Sequence, residues 1–286
     1  MVPAASRITP FRIGAAQISD DTQLTLFTAN ALLSAATRKR LGAPGGTIQA
    51  AAAACYRDWL RTQWEAYPLK DQNTTAWLVH VPELFHRRAP GGTCLETIAQ
   101  GAWGTIERPI NQSKGCGGIM RVAPTGLFLR SPSRAGLLAV RLAGEKQEDT
   151  QAIRALGEGW VAEETLAIAI YCALKYETDF NRALIAAVNH DGDSDSTGAV
   201  TGNLLGARLG LSGIPANYLE YLELKPVILE LADDLYQGVP PAYGEEFQPL
   251  IHVIGTPAPE PRSLTPEHAL WDAKHTTAVY VPPQTI

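Results

Sequence analysis

The stretch from Trp160 to Lys175 constrains the fold of this chain more than any other. Leu166, Ile168, Ala169, Ile170, Cys172 and Leu174 leave it almost no polar face. A helix that is apolar on nearly every side has to be surrounded by other elements, which is the pattern of a helix inside a bundle. Thr22 to Ala36 sets Leu24, Phe27, Ala31 and Ala35 at helical spacing, and Ile48 to Trp64 continues in an Ala-rich mode that ends before Pro68. Strand signals are sparse: the best run, Trp77 to Val81, is short and is stopped by Pro82. The expected fold is all-α. Residues 1–239 are expected to form one helical domain. Residues 240–286 carry nine of the twenty prolines and no sustained period, so they are expected as a Pro-rich extended C-terminal tail.

At 286 residues the chain is long enough to bury a large core, and its 45% hydrophobic content is ordinary for a globular protein. A net charge of −5 argues against direct nucleic-acid binding. The basic runs Arg38-Lys39-Arg40 and Arg87-Arg88 are short, and both read as solvated helix ends, where cations complement the helix dipole. Cys55, Cys94, Cys116 and Cys172 lack C-x-x-C spacing, and two of them sit in apolar helical sequence. Neither a zinc site nor a disulfide framework is indicated, and a reducing cytoplasm is the natural compartment. The start of the chain lacks the apolar core of a secretory signal, and apolar stretches are interrupted well short of the ~20 residues a membrane helix needs. A monomer without membrane association is expected.

Two acidic clusters about 170 residues apart carry the chemistry: Ser19-Asp20-Asp21 and Asp191-Gly192-Asp193-Ser194-Asp195-Ser196. Taken singly, each also reads as a helix cap or a solvated turn. Brought together, their carboxylates would repel one another unless a cation lay between them. Asp with Ser or Thr supplies the oxygen ligands that hard divalent cations take. Ser196 and Thr197 bring hydroxyls to the start of the next helix, whose positive end should keep neighbouring carboxylates ionised. Asp191, Asp193 and Asp195 occupy the first, third and fifth positions of an EF-hand loop, but Ser196 and Gly202 stand where that loop needs Gly and Glu. Gly198, Gly202, Gly206 and Gly210 then recur every fourth residue. Each interior Gly costs roughly 0.5–1 kcal/mol relative to Ala, so the stripe implies close approach of another helix, expected to be the one that starts at Thr22. Asn203 and Arg208 exclude a membrane G-x-x-x-G helix.

Between the clusters lies Ser113-Lys114-Gly115-Cys116-Gly117-Gly118, followed by Met120-Arg121. Three glycines in four positions let backbone N–H groups approach a phosphate or pyrophosphate, although the spacing matches neither Walker A nor the Rossmann fingerprint. A plain glycine loop is the competing reading.

These motifs, in order, resemble the ADP-ribosylglycohydrolase family, which includes dinitrogenase-reductase-activating glycohydrolases. Ser19-Asp20-Asp21-Thr22 is similar to the family's Thr-Asp-Asp-Thr, Ser113 to Arg121 to its Ser/Gly loop ending in Met-Arg, and Gly192 to Gly198 to its Gly-Asp-x-Asp-Thr-x-Gly. Gly159-Trp160 with Glu163-Glu164 is similar to a further segment. The resemblance implies a compact orthogonal multi-helix bundle holding two Mg²⁺ ions, with Mn²⁺ as the other candidate. It implies hydrolysis of the N- or O-glycosidic bond between ADP-ribose and a protein side chain or small molecule. By position, Ser19, Asp20, Asp21 and Asp195 would bind one metal, and Asp193, Asp195 and Ser196 the other. Ser113, Gly115, Cys116, Gly117 and Gly118 would hold the diphosphate and the adjoining ribose.

The sequence departs from the family pattern in three places. Both clusters carry Ser where the family usually has Thr, which keeps the hydroxyl and loses the methyl that restrains its rotamer. The family's earlier helix, with a Gly-Asp-Ala-like motif and a catalytic acidic residue, finds no counterpart in the eighteen residues before Ser19, so the catalytic carboxylate is unassigned. The segment from Pro124 to Gly157 reads as shortened and lacks a Thr-His element, while His80, His86 and His190 read as surface or structural histidines. A family-fold protein that binds ADP-ribose or a partner without turnover is the alternative function.

Overall fold

The computed structural model describes residues 16–71, 73–101, 104, 108–128, 148–237 and 266–276. In chain order the helices are α1 (Asp20–Arg40), α2 (Ile48–Trp64), α3 (Gly92–Ala99), α4 (Ala123–Phe128), α5 (Asp149–Leu156), α6 (Ala162–Lys175), α7 (Phe180–Val188), α8 (Ser194–Leu209), α9 (Ala216–Leu219), α10 (Lys225–Gln237) and α11 (Pro266–Thr276). Short 3-10 turns occupy Trp77–His80, Pro82–Leu84, Cys116–Arg121 and Leu211–Gly213. Among the described residues there is no β-strand, only the isolated bridges Ala16 to Leu222 and Gly115 to Val161. The all-α expectation holds. None of the described helices is long and apolar enough to cross a membrane.

The chain divides into two compact units. Of the described residues, the first holds 16–22, 113–123 and 148–225. Its core is built on α6, the segment whose apolar character stood out in the sequence. Ile168, Tyr171 and Cys172 are fully buried and cluster with Ala152, Ile153 and Leu156 of α5 and with Ala186 and Ala187 of α7. Burial of a side chain such as Ile168 is worth about 1.5–3 kcal/mol. The helix starts at Ala162 after an extended Val161, which leaves Trp160 outside it and 57% exposed. Tyr171 and Tyr176 carry polar tips into this core, and both hydroxyls donate to Asp149 at the head of α5, at 2.7 and 2.6 Å.

The glycine stripe of α8 faces α7 instead of the helix that contains Thr22. A Cβ on Gly198 would lie 2.7 Å from Val188 Cγ1, and one on Gly202 would lie 3.9 Å from Leu184 Cδ2. Gly206 has nothing within 4 Å, and Gly210, with φ +68°, ends the helix in the left-handed region that favours glycine. The four glycines thus divide into two packing positions, one open position and one stop.

The second unit holds the described residues of 23–112, 124–128, 226–237 and 266–276. Leu24, Phe27, Ala31 and Ala35 are all buried, as their spacing in the sequence predicts. The buried Gln23 amide donates to His86 O at 3.0 Å and accepts from Trp59 Nε1 at 3.1 Å, so the polar group enters the core satisfied. Trp77 to Val81, the best strand run in the sequence, contains a 3-10 turn whose Trp77, Leu78 and Val79 are all buried. A short, mostly apolar run reports burial, and burial needs no strand partner.

Part of the segment expected to run extended is helical, namely α11, and the end of α1 is less solvated than its charge suggests. Arg40 pairs with Asp272, Arg38 donates to Thr276 O, and Trp271 Nε1 donates to Thr37 Oγ1 at 3.2 Å. Lys274 pairs with Glu230 and Asp234 of α10, and the fully buried His275 lies 3.2 Å from Asp234. The expectations for residues 1–15, and for most of the Pro124 to Gly157 segment and of the tail, fall outside the described residues.

Candidate metal centre and glycine loop

Both acidic clusters and the glycine loop belong to the first unit. Asp20 and Asp21 open α1, and Asp193 and Asp195 flank the start of α8. The Asp21 carboxylate joins the two clusters: it accepts from Ser19 Oγ at 3.0 Å through one oxygen and from Ser196 Oγ at 3.2 Å through the other. Asp20, Asp21 and Asp195 each place an oxygen within 4.8 Å of the others, an arrangement that could hold a metal ion. Asp20 and Asp21 are buried and Asp195 is exposed, so the group faces solvent on one side.

The sequence suggested that helix ends would keep these carboxylates ionised; at Asp21 and Asp195 burial and like-charge contact work against that. Burial, reinforced by the charge of Asp195, pushes the Asp21 carboxyl up to about 6. Contact with the Asp193 carboxyl, followed by burial, raises Asp195 as well. Helix-end charges contribute at most ~2 kcal/mol, and here desolvation and like-charge crowding outweigh them. Crowded carboxylate oxygens whose mutual repulsion a positive charge would relieve are a fitting set for a hard divalent cation.

Asp193 takes a different partner. Its Oδ2 accepts from Cys116 Sγ at 2.7 Å, which ties the second cluster to the glycine loop. Burial, then the bond to Asp193, pushes the Cys116 thiol up to about 12, so it stays protonated at neutral pH and is a poor nucleophile. The loop is pinned along its backbone: Cys116 N donates to Trp160 O at 3.1 Å, and Ala162 N donates to Lys114 O at 3.1 Å. Ser113 Oγ accepts from Gly115 N at 3.2 Å. Gly117 O accepts from the Arg121 guanidinium. A Cβ on Gly118 would meet nothing within 4 Å, so that face of the loop is open.

Asp191 stands apart from the other carboxylates, on the surface, 3.3 Å from Arg154. His190 is structural: its Nδ1 accepts from Gly192 N at 3.1 Å, which leaves Nε2–H to donate to Thr197 Oγ1 at 3.0 Å. Sequence reasoning missed how the acidic loop is held. Asp193 N donates to Glu158 O at 2.8 Å, and the chains pass so closely that a Cβ on Gly192 would sit 1.7 Å from that oxygen. Glu164 accepts from the N–H groups of Glu158 and Gly159, both at 3.1 Å, and so shapes the opposing turn. Glu223 accepts from Ile18 N at 3.0 Å, anchoring the approach to the first cluster. Periodicity carries no sign of these contacts; the glycines at 157, 159 and 192 were the available signal.

The family profile described as ADP-ribosylglycohydrolase matches residues 2–144 and 131–244. An ADP-ribosylarginine hydrolase of Pseudomonas putida (strain GB-1) is 35% identical over 99 residues, which is 34% of this chain and 26% of that protein. An ADP-ribosyl-dinitrogen reductase glycohydrolase of Rhodospirillum rubrum is 46% identical over 46 residues, 16% of each chain. The matches therefore span 26% and 16% of those relatives' lengths. No solved structure matches the chain.

Proposed function

Because the chain belongs to the ADP-ribosylglycohydrolase family, we propose that it is a metal-dependent hydrolase that releases ADP-ribose from a glycosidic linkage. The observation that carries this reading is the convergence at Asp21, whose two oxygens bond Ser19 and Ser196 across a sequence separation of 175 residues. In this reading Ser19, Asp20, Asp21 and Asp195 hold one Mg²⁺ or Mn²⁺, Asp193, Asp195 and Ser196 hold a second, and Asp195 is shared. Bound there, a divalent cation supplies charge stabilisation and a polarised water beside the ribose. The buried Asp20 and Asp21 keep water from the inner side, and the exposed Asp195 leaves the outer side accessible. Ser113, Gly115, Cys116, Gly117 and Gly118 line the place of the diphosphate and adjoining ribose; the N–H groups of Gly115 and Cys116 are taken up by Ser113 Oγ and Trp160 O, so the backbone approach is at Gly117 and the open face of Gly118. The protonated thiol of Cys116 favours direct hydrolysis over a covalent intermediate on that residue.

One relative is named for the arginine linkage, which makes a protein ADP-ribosylated on arginine the first substrate to try. Incubated with it in Mg²⁺ or Mn²⁺, the protein should release free ADP-ribose. Chelation, Asp193→Ala and Asp195→Ala should each abolish release. Binding of ADP-ribose without release at any enzyme concentration overturns the hydrolase reading in favour of a binding protein on the same fold.

A further inference from the structure

We infer that Cys116 is a positioning residue, whose thiol sets the orientation of the Asp193 carboxylate and so joins the glycine loop to the second acidic cluster. The inference rests on the cation site proposed above. Asp193 occupies the N-cap position of α8, where an Asp side chain ordinarily accepts from a backbone N–H of the first turn and so stabilises the helix. Its side chain makes no such bond, although the residue is only 7% exposed. The carboxylate is instead engaged by the thiol, with Sγ 2.7 Å from Oδ2.

The backbone of Asp193 has little freedom. Its N–H is held by Glu158 O at 2.8 Å, and its carbonyl accepts from Thr197 Oγ1 at 2.9 Å. Side-chain rotation is what remains to be set: the Asp195 carboxyl touches the group, and the Cys116 thiol supplies the donor that fixes Oδ2. Cys116 is itself fixed, because its N–H bonds Trp160 O and the preceding Gly115 bridges to Val161. One donor on Oδ2 leaves the carboxylate with further lone pairs for a cation. Hydrogen bonds of this kind, behind a metal ligand, are typically worth about 10–100-fold in metal affinity.

Calorimetric titration with Mn²⁺ alone tests the inference on the full chain. Cys116→Ala should weaken affinity by about 10–100-fold. Cys116→Ser, which keeps a donor at a shorter reach, should recover most of the loss. In an Asp193→Asn background, Cys116→Ala should cost nothing further, because its effect runs through that carboxylate. Melting in chelator is the folding control, and a merely packing role would move that temperature without the coupling. Wild-type protein that binds Mn²⁺ while Cys116→Ala binds as tightly overturns the inference and leaves the cation site standing. An equal loss in both backgrounds also overturns it. Wild-type protein that binds no Mn²⁺ overturns the inference and the cation site together.

Discussion

Asp58 shows how a single buried carboxyl makes stability depend on pH. Its Oδ2 accepts from Thr75 N at 2.6 Å and Ala76 N at 2.8 Å, yet burial prevails and pushes the carboxyl from 3.8 to about 6. The folded state therefore binds this proton more tightly than the unfolded state. The contribution is fully present below about pH 4 and is lost as pH rises through about 6. At about 1.4 kcal/mol per pH unit the loss approaches about 3 kcal/mol. Asp58→Asn keeps an acceptor oxygen and cannot ionise, so denaturant melts at pH 4 and pH 7 should show a smaller fall in stability than in the wild type. An unchanged pH profile would show that the carboxylate is ionised without penalty. Gly192 makes the complementary point about legibility. In the sequence it is one glycine within an acidic run; in the fold it is the position where any Cβ would strike Glu158 O.

At the scale of elements, α8 invites a paired test. Gly206→Ala adds a methyl group where nothing lies within 4 Å and removes the entropic cost of an interior glycine, so it should stabilise the protein by about 0.5–1 kcal/mol. Gly198→Ala brings a Cβ to 2.7 Å from Val188 Cγ1 and should lower the melting temperature by forcing α7 and α8 to adjust. If both substitutions behave alike, the glycines do not divide as the contacts indicate. Outside the proline-rich end, helix existence was legible: Ile48–Trp64 begins and ends where its pattern does. Helix partners were not, because a stripe of small residues reports close approach without saying what approaches. The same limit explains α11, whose proline-rich flanks obscured a helix that meets the basic end of α1 through Asp272 and Trp271.

At the scale of the whole molecule, the proposed site implies that stability and cation binding are linked. With the Asp21 carboxyl pushed up to about 6, its ionisation opposes folding at neutral pH until positive charge compensates it. Mn²⁺ at about 100 times its dissociation constant should stabilise the protein by about 2.7 kcal/mol. Asp21→Asn should raise the melting temperature in chelator and blunt the Mn²⁺ response. A response equal to wild type would exclude Asp21 from the site. Helical periodicity and the spacing of polar motifs are local properties, so the sequence by itself determined the all-α class, the buried character of α6 and the three segments to which the proposed site is assigned. The partners depend on which chains pass close in space. Only the tertiary structure could decide that Asp21 bonds both serines, that Asp191 stands outside, and that Cys116 grips Asp193, because desolvation and contact between distant residues have no sequence period.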